Sequence, residues 1–429
     1  MLVVSTGDGA VLVVEADDTL ATRRVIDTDF TPASTEIIDR CVTVARDGTL
    51  LAMKDTEFSF STWDIATGVR QRRLRGHDWQ HPCRCTFHGG ASDMVTRTAE
   101  TMSACAVDGH RGSITALALN HAGNVAASVD EQAEVFMWSL CTGEPLQRLR
   151  YCLQGLTLVM NFAPDDITLV VGDSNGEVAE YVDSMRLSPD QRAHSESARS
   201  LARAVVSMTQ DKVPSQVFTV AWRADSRMYY AGFEDGTIAT VPAPHAEQTL
   251  PASYESFQFL KAGASCVCSL ALAPCGSLLA VAGSDGYDNP ESNGAVAVYN
   301  VHTMAKLWAL QVEYDGPPDA GHGGEAPQAR RRNADLLSVV FSRDSALLFA
   351  ASIDGKLRVW CVEQGKLLHT RDMHCAVLCV SVCTDRETHQ RQERKLAIAM
   401  GAHHRVGAES HLIQELPSDL LQTLVQLVQ

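Results

Sequence analysis

"AASIDGKLRVW", residues 350–360, is the stretch on which the fold turns. Small residues lead into the Asp354-Gly355 doublet, and an apolar run then closes on Trp360. An Asp-Gly pair between apolar runs signals a tight two-residue hairpin, because glycine reaches the positive φ that such a turn requires. The unit extends upstream and recurs. "FSRDSALLFAASIDGKLRVW" (341–360) aligns without a gap on "WRADSRMYYAGFEDGTIATV" (222–241), with Asp235-Gly236 under the doublet. "FAPDDITLVVGDSNGEVAEY" (162–181) carries Asn175-Gly176 there, and "LAPCGSLLAVAGSDG" (272–286) carries Asp285-Gly286. Weaker copies lie at 44–64 and 119–138, a half unit at 2–14, a less regular one at 83–107 and a final one at 378–400.

Each unit reads as a small antiparallel sheet: an apolar strand, a polar turn, a returning strand, the Asp-Gly turn and a third strand. Three or four strands repeated every ~40 to 45 residues predict a β-propeller with one sheet per blade. The 3.6-residue periodicity of a helical solenoid is missing from most of the chain.

The composition suits a closed repeat architecture. A chain of 429 residues with 45% hydrophobic and 21% charged residues can bury a large core. The net charge of −16 argues against wide contact with a phosphate backbone, which draws on many Lys and Arg. The opening stretch lacks the basic n-region of a signal peptide, and no apolar run approaches the ~18 residues a membrane span needs. Thirteen cysteines without a CxxC pair read as scattered reduced thiols, which points to the cytosol or the nucleus.

Over most of residues 1–405 the chain resembles the WD-repeat family. One unit carries the whole pattern of Gly-His, Ser-x-Asp and closing Trp: Gly109-His110, Ser128, Asp130 and Trp138. The unit at 335–360 keeps Ser352, Asp354 and Trp360 without the His, and Gly76-His77 and Trp63-Asp64 are partial traces. The resemblance implies that these side chains form a buried hydrogen-bond network stapling a blade, not a catalytic site. It also implies that the narrow face around the channel binds peptides, through the start of each innermost strand and the residue just before the turn Asp. Carried onto this sequence, the first position gives Leu158, Phe218, Cys268 and Leu337, and the second gives Ser174, Glu234, Ser284 and Ile353.

The expected architecture is all-β: a single WD-repeat β-propeller of seven or eight four-stranded blades over residues 1–409, with insertions at 186–212 and 313–334. The first half unit and the last unit together complete one blade, so ring closure removes exposed sheet edges. Counting the 83–107 unit gives eight blades, the number preferred; omitting it gives seven. Residues 186–212 are polar and then helix-compatible, and 313–334 are rich in Gly, Pro and Ala, so both read as solvated insertions. Residues 410–429 read as an amphipathic helical tail, with Leu420, Leu421, Leu424, Val425 and Val428 at helical spacing after the N-cap Ser418. That stripe either packs on the propeller or is offered to a partner groove.

No catalytic, metal or phosphate motif stands out, and no cofactor is expected. Cys83/Cys85 and Cys266/Cys268 sit two apart on strands, so each pair shares a face as small hydrophobes. His374, Cys375, Cys379, Cys383, His403 and His404 form the densest Cys/His grouping, but their spacing is not that of a zinc site. Arg70, Arg72, Arg73 and Arg75 in "RQRRLRGH" read as a charged exposed edge, with RNA contact as the alternative.

Residues 215–375 are further similar to the WD-repeat subunits of superkiller (Ski) complexes. "GSLLAVA" (276–282), "GAVAVYN" (294–300), "DGKLRVW" (354–360) and "DMHC" (372–375) follow their order. That resemblance implies an adaptor joining a tetratricopeptide scaffold and an RNA helicase for cytoplasmic RNA decay, with further roles in the nucleus. The expected function is a non-catalytic protein-interaction scaffold in a multiprotein complex, without a membrane role or direct nucleic-acid binding. Two alternatives remain: an RNA-contacting subunit of a ribonucleoprotein, and a propeller enzyme with a channel-bound metal or cofactor.

Overall fold

The computed structural model describes residues 1–75, 110–149, 155–182, 202–207, 215–243, 258–312 and 334–382, with breaks at 8–9, 18, 27–41, 46–47, 57–58, 111, 263, 285–292 and 375. Every regular element among them is a β-strand.

Alternating apolar runs punctuated by Gly and Asp turns produce strands in groups of four. β1 (Leu2–Thr6), β2 (Val11–Val14) and β3 (Thr22–Ile26) open the chain. β4 (Val42–Val44), β5 (Leu50–Thr56), β6 (Ser59–Asp64) and β7 (Arg70–Arg75) form the next sheet. β8 (Ile114–Leu119), β9 (Val125–Asp130), β10 (Val135–Ser139) and β11 (Pro145–Leu149) follow. Then come β12 (Thr157–Phe162), β13 (Thr168–Asp173), β14 (Glu177–Val182) and β15 (Ala202–Ser207). β16 (Val217–Trp222), β17 (Met228–Phe233), β18 (Thr237–Pro242) and β19 (Gln258–Lys261) make a fifth group. β20 (Cys266–Leu272), β21 (Leu278–Ser284), β22 (Gly294–Asn300) and β23 (Lys306–Val312) make a sixth. β24 (Leu336–Phe341), β25 (Leu347–Ser352), β26 (Lys356–Cys361) and β27 (Lys366–Asp372) make the seventh. β28 (Val377–Val382) returns to pair antiparallel with β1 and completes the first sheet.

Seven apolar clusters fill the gaps between successive sheets, and together they close a ring. Leu51 and Trp63 meet Val3 and Ile26 in one gap, and Phe60 and Leu74 meet Trp138 in the next. The last gap joins Phe349 and Leu357 to Leu2 and Val4. Middle strands are covered by neighbours on both faces, so β13 is buried at every position, whereas outer β3 is exposed at four of its five.

The ring therefore closes as a β-propeller of seven blades, the smaller of the two expected numbers. The sheet of β4–β7 packs directly on that of β8–β11, which leaves no gap for an eighth between them. The unit at 83–107, the reason for preferring eight, lies outside the described residues. The closing blade is built from three strands of the chain's start and one from its later part, not two and two, because β3 supplies the outer strand. The stretch read as an insertion at 186–212 contains β15, whose "ARAVVS" is a strand although it is compatible with a helix. Pairing with β14 overrides local propensity there. Most of the 313–334 insertion and the tail 410–429, with Leu420, Leu421, Leu424, Val425 and Val428, lie outside the described residues.

Candidate interaction face

The innermost strands are β28, β4, β8, β12, β16, β20 and β24, one per sheet. In the fifth sheet Val217 pairs with Phe233 and Thr219 with Gly232, so Phe218 is one extra residue at which the register shifts. The same one-residue bulge falls at Thr115 in β8, Leu158 in β12, Cys268 in β20, Leu337 in β24 and Leu378 in β28. Bulges interrupt strict alternation and re-aim a side chain. Here they do so at the end where each inner strand begins, which is one rim of the channel. Thr115, Leu158, Phe218 and Leu378 are half-buried, while Cys268 and Leu337 are buried.

A second ring follows from backbone bonds just beyond each second strand. The N–H of Glu131 donates to the carbonyl of Ser113, Ser174 to Leu156, Glu234 to Gln216, Ile353 to Asp335 and Gly7 to Ala376, all at 2.8 to 3.0 Å. Ser284 departs from the expected set. It pairs with Cys266 inside the ladder and is buried, because β20 and β21 form one more pair before their bulge than the other sheets do. The residue beyond the strand there is 285, outside the described residues.

Thr115, Leu378, Glu131 and Gly7 were missed by sequence reasoning, which counted from Asp-Gly doublets. The hairpin after Asp130 has no Gly, and counting from the apolar strands instead would have found these positions. Leu156, 42% exposed at the same rim, adds an aliphatic side chain to it. Partial burial pushes the Asp235 pKa up, but hydrogen bonds from Lys261 and Thr237 outweigh this and hold its carboxyl below the usual range.

Behind this face, in the third sheet, four buried side chains interlock. His110 Nδ1 lies 3.1 Å from Asp130 Oδ2, His110 Nε2 meets Ser128 Oγ, and Trp138 Nε1 donates to Ser128 Oγ at 2.7 Å. Asp130 Oδ1 also accepts the N–H groups of Gln132 and Glu134 at 3.1 and 2.9 Å, which fixes the hairpin.

Residues 330–361 match the model of the WD domain, G-beta repeat family. The β-propeller domain of Cps50 (Swd1) from Myceliophteria thermophila shares the fold, with a TM-score of 0.50 over 79% of this chain and 88% of that one, at 14% identity. The chain folds as a β-propeller, and one of its units matches a WD repeat. The antiviral protein SKI8 of Saccharomyces cerevisiae is 24% identical over 163 residues, 38% of this chain and 38% of that protein. The match thus spans well under half of either. A propeller of this kind suggests a protein-interaction scaffold, and WD-repeat propellers are typically non-catalytic.

The propeller's last full blade uses a different staple. Counted from the inner-strand bulges, Trp360 faces Leu348 as Trp138 faces Ala126, and Arg358 faces Ala350 as Phe136 faces Ser128. Arg358 Nη1 donates to Ser352 Oγ and Nη2 pairs with Asp354 Oδ2, each at 2.5 Å. Trp360 lies two residues further along and packs with Phe341 and Leu348 between blades. Asp173, not singled out in the sequence, repeats the work of Asp130. It accepts N–H bonds from Gly155, Asn175 and Glu177 at 2.8 to 2.9 Å. The doublet alignment had placed Asn175 at that position.

The arginine run lies on the propeller's outer rim along β7. The Arg70 guanidinium sits 5.6 Å from the Trp63 ring centre, Arg72 donates to the carbonyls of Cys141 and Thr142 in the next blade, and Arg73 Nε lies 2.8 Å from Asp55 Oδ2. Cys266 and Cys268 bury their sulfurs 3.7 Å apart. Cys379 lies beside Ser381 and His374 beside Asp372, while Cys83, Cys85, Cys375, Cys383, His403 and His404 are outside the described residues. Among the described residues no three His, Cys, Asp or Glu side chains come together in a group able to hold a metal ion.

Proposed function

We propose that this propeller is a non-catalytic adaptor subunit that grips a partner chain at the channel mouth. The observation that carries the reading is the recurrence of the inner-strand bulge in six of seven sheets, which presents Leu158, Phe218 and Leu378 half-exposed on one face. Apolar side chains grouped on a rim that also carries acidic ones are favourable anchors for a protein partner. Glu131 and Glu234 at the same rim favour an apolar segment flanked by basic residues. The partial likeness to SKI8 supports a finer version, a Ski-like RNA-decay assembly with a tetratricopeptide scaffold and an RNA helicase as partners.

Covering a Phe side chain is worth about 2 kcal/mol, close to thirtyfold in affinity. Native purification of the tagged full chain and of a Leu158→Asp/Phe218→Glu variant tests the reading. The variant is expected to melt within a few degrees of the parent yet recover at least about tenfold less of the parent's partner chains. Equal recovery by both proteins would refute the mouth as the gripping surface. Co-purification of a helicase and a tetratricopeptide protein would support the Ski-like version, and their absence among the recovered chains would count against it.

A further inference from the structure

A cavity of about 210 Å³ lies between the fifth and sixth sheets, and none of the channel-mouth residues lines it. One wall is the outer half of the sixth sheet. Ala297 pairs with Ala309 and Ala295 with Gln311, so these four side chains share one face of β22 and β23. The pair of Tyr299 with Lys306 continues that face, because the register shifts by one residue at Leu307. Ala262 and Ala264, between β19 and β20, form the opposite wall. The Tyr299 hydroxyl donates to the Ala262 carbonyl at 2.7 Å and ties the two sheets together. Lys306 and Gln311 both line the cavity, and β23 runs about 17 Å from one to the other, so the space is long and narrow.

The two faces of β23 are unlike. Trp308 and Val312 pack in the gap to the seventh sheet, where Trp308 Nε1 donates to the Val362 carbonyl at 2.7 Å. The face toward the fifth sheet carries alanines instead, and their small side chains leave the space open. Interiors are close-packed, and an unfilled apolar space forfeits the dispersion contacts its lining could make. A space of this order accepts a ring the size of benzene. The strand edge beside it is open as well. β23 is the outermost strand of its sheet, and no described strand pairs with its far side. Open edges are usually blunted by charge, as the four arginines of β7 do, but Lys306 is the one charged residue of β23, and Leu307 and Leu310 are 52% and 38% exposed. An edge of this kind takes a further strand through main-chain hydrogen bonds, with a side-chain pocket giving the specificity. The Lys306 ammonium stands 6.0 Å from the Tyr299 ring centre and meets no carboxylate among the described residues.

We propose that the open edge of β23 takes an extended segment of a partner protein as a fifth strand, with a Leu or Phe side chain in the cavity between the fifth and sixth sheets and a carboxylate on Lys306. The surface is separate from the channel mouth and does not depend on it. A phage-displayed library of random dodecapeptides is panned on the immobilised full chain, and the recovered peptides are labelled with fluorescein and titrated in an anisotropy assay. The recovered peptides are expected to share a Leu or Phe with an Asp or Glu two residues away, on the same face of a strand. Ala309→Phe, which fills the cavity from within, is expected to lower their affinity about tenfold or more, and Lys306→Glu about threefold or more, while Arg227→Glu, in the turn before β17, stays within about twofold. Ala309→Phe is also expected to melt at or above the parent temperature, since its ring enters open space. A melting temperature lower by more than about 5 °C would show that the space is absent and overturn the proposal. Ala309→Leu is expected to move affinity in the same direction by a smaller factor. Recovery only of peptides that respond to Leu158→Asp/Phe218→Glu and not to Ala309→Phe would overturn the proposal in favour of the mouth. Dimers of the full chain in sedimentation that Ala309→Phe abolishes would overturn it in favour of a second copy.

Discussion

Trp138 and Arg358 show how two unlike side chains at different positions staple their blades. An indole at Trp138 and a guanidinium at Arg358 both donate to a serine hydroxyl on the neighbouring strand. The energetics differ, because the guanidinium brings a charge into the interior and needs Asp354 beside it. Removing one partner of a buried ion pair costs about 3 to 5 kcal/mol, whereas replacing both by apolar groups is often close to neutral. Asp354→Ala is therefore expected to lower the unfolding free energy by about 3 kcal/mol or more in urea titration. Asp354→Ala/Arg358→Leu should recover most of that loss. A double variant as unstable as the single one would show that the pair, and not the stranded charge, sets the stability.

Hairpins between strands decide how closely neighbouring segments approach. Gly236 and Gly276 both have positive φ, yet their surroundings differ. A β-carbon at Gly236 would lie 2.0 Å from the Ala264 carbonyl oxygen, while at Gly276 nothing lies within 4 Å. Gly276→Ala should cost only the conformational penalty, about 1 kcal/mol. Gly236→Ala adds a backbone clash that the turn relieves only by moving, and a loss of about 3 kcal/mol or more is expected in the same denaturation measurement. Similar losses at the two sites would mean that φ, and not the close approach, governs these turns. At this scale too, the bulges matter more than the ladder: a single extra residue in six inner strands puts comparable side chains at one rim.

Ring closure depends on β28, which pairs with β1 across nearly the whole described sequence. Without it, β1 is an open edge and the cluster of Leu2, Val4, Phe349 and Leu357 loses Val377 and Val380. A chain ending after Met373 is expected to melt at least about 5 °C lower in calorimetry and to form oligomers in light scattering, since open edges template pairing. A monomer with the parent's melting temperature would show that the first blade holds without its inner strand. Closure also fixes the channel mouth, built from the inner strands.

From sequence alone came the repeat, the turn chemistry, the all-β class and the positions of Leu158, Phe218, Leu337, Ile353, Glu234 and Ser174, because hairpin signals are local and Asp-Gly spacing carries the register. Blade number was not readable, since it depends on which sheets touch, and neither was the strand at 202–207, whose helix-compatible residues are held by pairing with β14. Ser284 moved inside its ladder because sheet length is a tertiary quantity that no doublet reports. Arg358, and not Trp360, donates to Ser352 for the same kind of reason. Cross-strand register, not distance along the chain, decides which side chain meets Ser352. Local hydrogen bonding and periodicity set the parts, and the packing of one sheet on the next set their number, their ends and the company each polar group keeps.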